Sequence, residues 1–173
     1  MIAIGGPPLG GKGVLAARLA DCFPRVVKLE LSDDLISSSG NGHAPATLSA
    51  LLGRAKQVWR DSPAARRPTI LVVARFATPT RRRRARAAAR AERMRFLFVE
   101  ARSSEEAVLR RLARPLLSRR ELEERVRRYA AALRSYRAVN AAERLYLPAL
   151  SLARVQSRLD QASERVIEAW RPR

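Results

Sequence analysis

Gly6-Pro7-Pro8-Leu9-Gly10-Gly11-Lys12-Gly13 is the stretch on which the fold of this chain turns. It reads as glycine, four residues, Gly-Lys, with Gly13 and then Val14 where that spacing ordinarily continues with Ser or Thr. Glycines let a loop wrap closely round an anion with successive backbone N–H groups pointing inward. A helix starting there adds its positive N-terminal end, and a lysine ammonium reaches the outer phosphates. The flanks supply the needed context: Met1 to Ile4 is a short apolar strand, and Val14 to Ala20 reads as a helix. Gly6, Gly10, Gly11, Lys12, Gly13 and Val14 are therefore the expected nucleotide-binding residues. The plain alternative is a Gly- and Pro-rich turn with an incidental lysine. The hydroxyl that normally touches magnesium is missing, so the loop offers a nucleotide site without its usual metal group.

Strand and helix alternate beyond this unit, which argues for a parallel sheet flanked by helices. Arg25 to Leu31 reads as the second strand and ends in Ser32-Asp33-Asp34. A Ser-, Gly- and Asn-rich loop follows, and Ala44 to Thr47 opens a helix to about Trp59. Thr69 to Ala74 is a continuous apolar run, as expected of a strand covered on both faces. Thr80 to Glu92 reads as an arginine-dense helix, and Arg95 to Glu100 as the fourth strand. Ser103 or Ser104 caps the next helix, which carries Glu105 and Glu106 in its first turn and stops at Pro115. A long helix from Arg119 to Asn140, a short fifth strand at Leu145 to Leu147 and a closing helix from Ala153 to Trp170 complete the pattern. Neither an internal repeat nor a second domain is visible, so residues 1–173 read as one domain.

Thirty-five Lys plus Arg against 16 Asp plus Glu give a net charge of +19. Residues 1–60 carry only +3 of it. Nearly all the basic residues are arginine, a bias that a GC-rich genome also produces. Such a field attracts polyanions: nucleotide, nucleic acid, an acidic protein or an anionic membrane surface. No transmembrane span or signal peptide is evident, and a cytoplasmic setting is expected. Cys22, the single cysteine, excludes an internal disulfide and is expected to pack against the sheet. His43 is the only histidine, with no partner for a zinc site.

Asp33 and Asp34 follow a strand at the carboxyl edge, where open parallel sheets bind ligands. A carboxylate there could take a proton from a hydroxyl or orient magnesium through water; a turn or capping aspartate is the ordinary reading. Arg110, Arg111 and Arg114 lie on one helix and could neutralise charge on a transferred phosphoryl group, or form a solvated face. Arg81 to Arg84, with Arg86 and Arg90, point in all directions around a helix and read as a solvated face or a phosphate-contacting patch. No aromatic residue interleaves with them to stack bases.

These residues together resemble the small P-loop kinases, in particular the group of the phage polynucleotide kinase and its bacterial relatives. The likeness runs from the loop at Gly6 to Gly13 through Ser32-Asp33-Asp34-Leu35 and Leu71 to Phe76, then Phe96 to Ala101, and Ser104-Glu105-Glu106 leading to Leu109-Arg110-Arg111-Leu112. It implies a three-layer α/β P-loop NTPase fold with a parallel sheet of about five strands. It also implies ATP with Mg2+, Lys12 on the phosphates, Asp33 as general base and lid arginines at Arg110, Arg111 or Arg114. Asp34 and Arg75 would contact the acceptor, a small-molecule hydroxyl or a polynucleotide end. The chain departs from the group at Gly13, Val14 and Val73, which lack metal-binding oxygens, and at Ile36, near the place of a frequent arginine. Those departures favour a second reading, a catalytically degenerate kinase that keeps the fold and nucleotide binding and serves as a regulatory or assembly partner. A third, resting on charge alone, is a nonspecific polyanion binder.

Overall fold

The structure is a computed structural model and describes residues 1–31, 47–113 and 118–171. Five strands form one sheet: β1 (Ile2–Gly5), β2 (Val26–Glu30), β3 (Thr69–Val73), β4 (Leu97–Ala101) and β5 (Ala149–Leu152). Their order is β2-β3-β1-β4-β5, and every pairing is parallel. β1 is central in this order, and all four of its residues are buried. Ile4 lies opposite Val73 on one side and Val99 on the other, and Gly5 opposite Glu100. The carboxyl ends of β1, β3 and β4 thus share one edge, where the loop after β1 begins.

The alternation of side chains along the strands separates two cores. On one face Ala3, Leu29, Ile70, Val72 and Phe98 pack against helices α2 (Leu48–Asp61) and α3 (Pro79–Ala91) through Leu51, Leu52, Ala55, Ala85 and Ala89. On the other, Ile2, Ile4, Leu71, Val73 and Val99 meet α1 (Lys12–Cys22) and α7 (Leu159–Trp170) through Leu15, Ala16, Leu19, Ala162 and Val166. This is the three-layer α/β arrangement that the strand–helix alternation implied. Helices α4 (Glu105–Leu112) and α5 (Arg119–Arg134) lie at the loop end. Each begins with a serine cap: Ser104 Oγ accepts from Ala107 N at 3.3 Å, and Ser118 forms a full capping box with Glu121.

Four sequence expectations are corrected. The long helix stops at Arg134 rather than Asn140 because the chain is tied to the sheet there. Tyr136 Oη donates to Glu100 Oε1 at 2.5 Å, Val139 N donates to the same oxygen at 3.2 Å, and Arg137 N donates to Ala77 O at 2.8 Å. Leu145 to Leu147 is not the fifth strand. Asn140 caps a short helix, α6 (Ala141–Arg144), whose Glu143 carbonyl accepts from Tyr146 N and Leu147 N, and β5 starts after Pro148. The closing helix begins at Leu159 instead of Ala153. Cys22 is exposed, because Phe23 takes the core position at the end of the Leu15–Leu19 stripe.

The arginine run also resolves residue by residue. Arg81, Arg83 and Arg84 are exposed, whereas Arg82 is fully buried. Its Nε and Nη2 donate to the two carboxylate oxygens of Glu143 at 2.8 and 2.6 Å, and its Nη1 donates to the carbonyls of Phe76 and Arg137 at 3.0 and 2.8 Å. A forked ion pair with its remaining donor also satisfied is the arrangement in which a buried guanidinium is tolerated. Arg82 is a structural bolt between α3 and the α5–α6 connection.

Candidate functional site

The loop from Gly6 to Gly11 lies on the carboxyl end of β4 and is almost wholly buried. Gly6 and Gly10 are required by the protein's own backbone. A Cβ at Gly6 would stand 2.1 Å from Ala101 O, and one at Gly10 2.6 Å from the same oxygen. Gly11 has a different reason: its φ of 86° lies in the left-handed region that glycine adopts at little cost. Gly10 N donates to Pro7 O at 3.1 Å, closing the turn, and Leu15 N to Gly11 O at 3.0 Å starts α1. Gly11, the N-cap of α1, makes no side-chain cap bond, and the loop runs into the helix end that favours anions.

Lys12 is 7% exposed and folds back over the loop, its Nζ donating to Pro7 O at 3.0 Å. The ammonium is thus held across the mouth of the glycine turn beside the start of α1. At the tip, Leu9 (φ 57°) is buried against Val108 and Leu112 of α4, with Tyr129 of α5 packed on the cluster. The loop is therefore fixed from two sides, by the β4 backbone and by the α4–α5 pair. Gln156, on the chain between β5 and α7, lies against Gly11, as do Ser103 and Val155. With the Gln156 amide oxygen turned toward its donors, it accepts from Ser103 Oγ at 3.1 Å and from the Arg111 guanidinium at 2.7–3.1 Å.

Of the two described arginines singled out on α4, Arg111 is the one held next to the loop. Arg110 turns to solvent and pairs with Glu106, both side chains more than 70% exposed. Arg75, just past β3, is half-buried at the sheet's carboxyl edge. Asp33, Asp34 and Arg114 lie outside the described residues, as do Ile36, His43 and Pro115. Sequence reasoning missed three contributors. Glu100 is buried and accepts from Tyr136, Val139 N, Ser151 Oγ and Arg102, tying the β4 end to β5 and the α5–α6 connection. Gln156 carried no motif. Glu30, the last residue of β2, looked like any strand-end acid.

Magnesium is the cofactor that a phosphate loop implies. Gly13 and Val14 bring no side-chain oxygen to the first turn of α1, and Val73 brings none at the end of β3. Among the described residues no group of three or more His, Cys, Asp or Glu side chains is gathered. One carboxylate oxygen does reach the place: a Cβ on Gly13 would lie 3.3 Å from Glu30 Oε1. A hard cation that takes one or two carboxylates and fills its shell with water and phosphate fits that donor.

No protein-family model matches the chain, and no curated protein matches it in sequence. Solved structures do match it in fold. Kti12 from Chaetomium thermophilum, crystallised with ADP-AlF3, aligns with a TM-score of 0.63 over 99% of both chains at 16% identity. APE1195 aligns with a TM-score of 0.60 over 96% of this chain and 92% of that one, at 20% identity. A gluconokinase from Sinorhizobium meliloti 1021 aligns with a TM-score of 0.53 over 97% and 89%, at 16% identity. The chain has the P-loop kinase-like fold, with its glycine loop after the first strand of an all-parallel sheet. No helix among the described residues is long and apolar enough to cross a membrane.

Proposed function

We propose that this chain binds ATP through residues 6–14 and transfers its terminal phosphoryl group to a hydroxyl, on a small molecule or a polynucleotide end. The observation that carries the reading is Lys12: a buried ammonium bonded back to Pro7 O across a glycine turn that runs directly into the start of α1. An ammonium in that position neutralises the outer phosphates while the first-turn amides take their oxygens. In the transfer, the acceptor oxygen bonds to the γ-phosphorus as the bond to the β–γ bridging oxygen breaks. Asp33 takes the hydroxyl proton, and an arginine of the α4 region, Arg111 or Arg114, offsets charge on the moving group. Asp34 and Arg75 sit in the segments after β2 and β3 and hold the acceptor. The positive surface favours an anionic acceptor.

A melting series with ATP and magnesium tests the reading. Binding at one hundred times Kd adds about 2.7 kcal/mol of stability, and Lys12→Ala should remove most of that gain. No rise in Tm at millimolar ATP, with or without metal, refutes it. A second reading keeps nucleotide binding without turnover, with the domain serving an acidic protein partner. Gly13, Val14 and Val73 specifically favour it, since none supplies a metal-binding oxygen. ATP binding with no phosphate appearing on any of a panel of hydroxyl acceptors would decide for it.

A further inference from the structure

Gly13 leaves a gap at the first turn of α1, and an acid from another strand stands at it. Val26, Lys28 and Glu30 alternate onto the sheet face that α1 covers, and Val26 packs into the α1 core. Lys28 Nζ holds Glu30 Oε2 at 2.8 Å. The other oxygen, Oε1, faces Gly13, 3.3 Å from where a Cβ would be. A serine at position 13 would press its own side chain against this carboxylate. The glycine and the glutamate therefore read as one exchange: a hydroxyl removed from α1 and an oxygen brought in from β2.

We propose that Glu30 is the metal-side ligand of the phosphate loop, replacing through β2 the hydroxyl that residues 13 and 14 lack. This deepens the nucleotide-binding reading and rests on it. A carboxylate suits a divalent cation better than a hydroxyl does, because it is a charged oxygen donor. It also has a cost that a hydroxyl does not: without a cation, an anionic side chain faces a polyphosphate and repels it. The arrangement therefore makes nucleotide affinity depend on the cation more steeply than a neutral ligand would. Lys28 moderates that repulsion and fixes which oxygen is presented. The exposed position of Glu30 means that its replacement leaves the core untouched.

The test is calorimetric titration of the full chain with ADP, in EDTA and in millimolar MgCl2. Wild type should bind ADP at least tenfold more tightly with magnesium. In Glu30→Gln the metal-free affinity should hold or improve, and the gain from magnesium should fall below threefold. Lys28→Gln, which breaks the ion pair but spares the carboxylate, should retain the tenfold gain. Gly13→Ser in the Glu30→Gln background should recover part of it. If Glu30→Gln keeps the full magnesium gain, the assignment is wrong while the nucleotide reading stands. If ADP and ATP bind wild type in neither buffer, both fall together.

Discussion

Replacing Arg82 with alanine should cost this protein a large share of its stability, although the residue sits in a run of four arginines that looks like surface. The guanidinium is fully buried, forked onto Glu143 at 2.8 and 2.6 Å, and bonded to two backbone carbonyls. Its removal leaves the Glu143 carboxylate buried without its cation, which costs about 3–5 kcal/mol. The carbonyls of Phe76 and Arg137 lose a donor each, adding about 1 kcal/mol apiece where water does not replace it. For a chain of this length 1 kcal/mol moves Tm by about 2–4 °C, so a loss of about 3–7 kcal/mol should lower it by roughly 6–28 °C. Arg84→Ala, on the exposed side of the same helix, should stay within about 0.5 kcal/mol. Urea denaturation of the two variants makes the comparison, with Glu143→Gln as a milder probe if Arg82→Ala does not accumulate folded. Arg82→Met with Glu143→Leu should recover much of the loss, because no orphan charge remains. The Arg82 effect should also persist at high salt, which screens exposed charges far more than buried ones. If Arg82→Ala and Arg84→Ala melt within 2 °C of each other, about the resolution of a 1 kcal/mol effect, the buried ion pair does not hold α3 to the α5–α6 connection.

Two further expectations concern the loop and its surroundings. Burial, and then the hydrogen bond to the Glu100 carboxylate, raise the Tyr136 phenol well above its ordinary value. A raised folded-state value means the protonated phenol contributes stability that is complete below the unfolded-chain value near 10 and is lost as pH climbs past it. That loss runs at about 1.4 kcal/mol per pH unit; denaturation at pH 9 and 11 should show it in wild type and not in Tyr136→Phe, and parallel curves would refute it. Gly6→Ala should unfold or badly distort the loop, because its Cβ would meet Ala101 O at 2.1 Å. Gly53→Ala on α2 meets nothing within 4 Å and should stabilise by about 0.5–1 kcal/mol; thermal melts of the pair give the contrast.

What could be read from the sequence was whatever local spacing encodes. The loop, the β1–α1 unit and strands β2, β3 and β4 are short-range patterns of glycine and apolar residues, and each lies within two residues of its expected place. What could not be read depends on partners far along the chain. Arg82 and Glu143 are 61 residues apart, and the Glu100 contacts to Tyr136 and Ser151 span 36 and 51. Those long-range ties ended α5 early and moved β5 past Pro148, against a periodicity that runs on through Asn140. Nothing local distinguishes Arg82 from Arg81 or Arg83 except that a helix presents one of them inward. Glu30 was hidden for the same reason: its meaning lies in facing Gly13 across a gap in sequence.

The glycine loop illustrates why motif and mechanism must be argued separately. Gly6 and Gly10 would be obligatory here even if no anion ever bound, since the Ala101 carbonyl excludes a side chain at both. Gly11, where φ rather than a clashing carbonyl calls for glycine, and Lys12, by its reach to Pro7 O, speak directly to the loop's mouth. The same division applies on α4, where two neighbouring arginines have opposite surroundings. Arg110 is spent on Glu106 in solvent, whereas Arg111 meets Gln156, whose stem touches Gly11. An anion in the loop would therefore be felt by Arg111 through a single intervening side chain. That link couples the loop to the junction of β5 and α7 and to α4, while Leu9 couples it to α4 a second time through apolar contact. The loop is thus joined to α4 by two separate attachments, one polar through Gln156 and Arg111 and one apolar through Leu9.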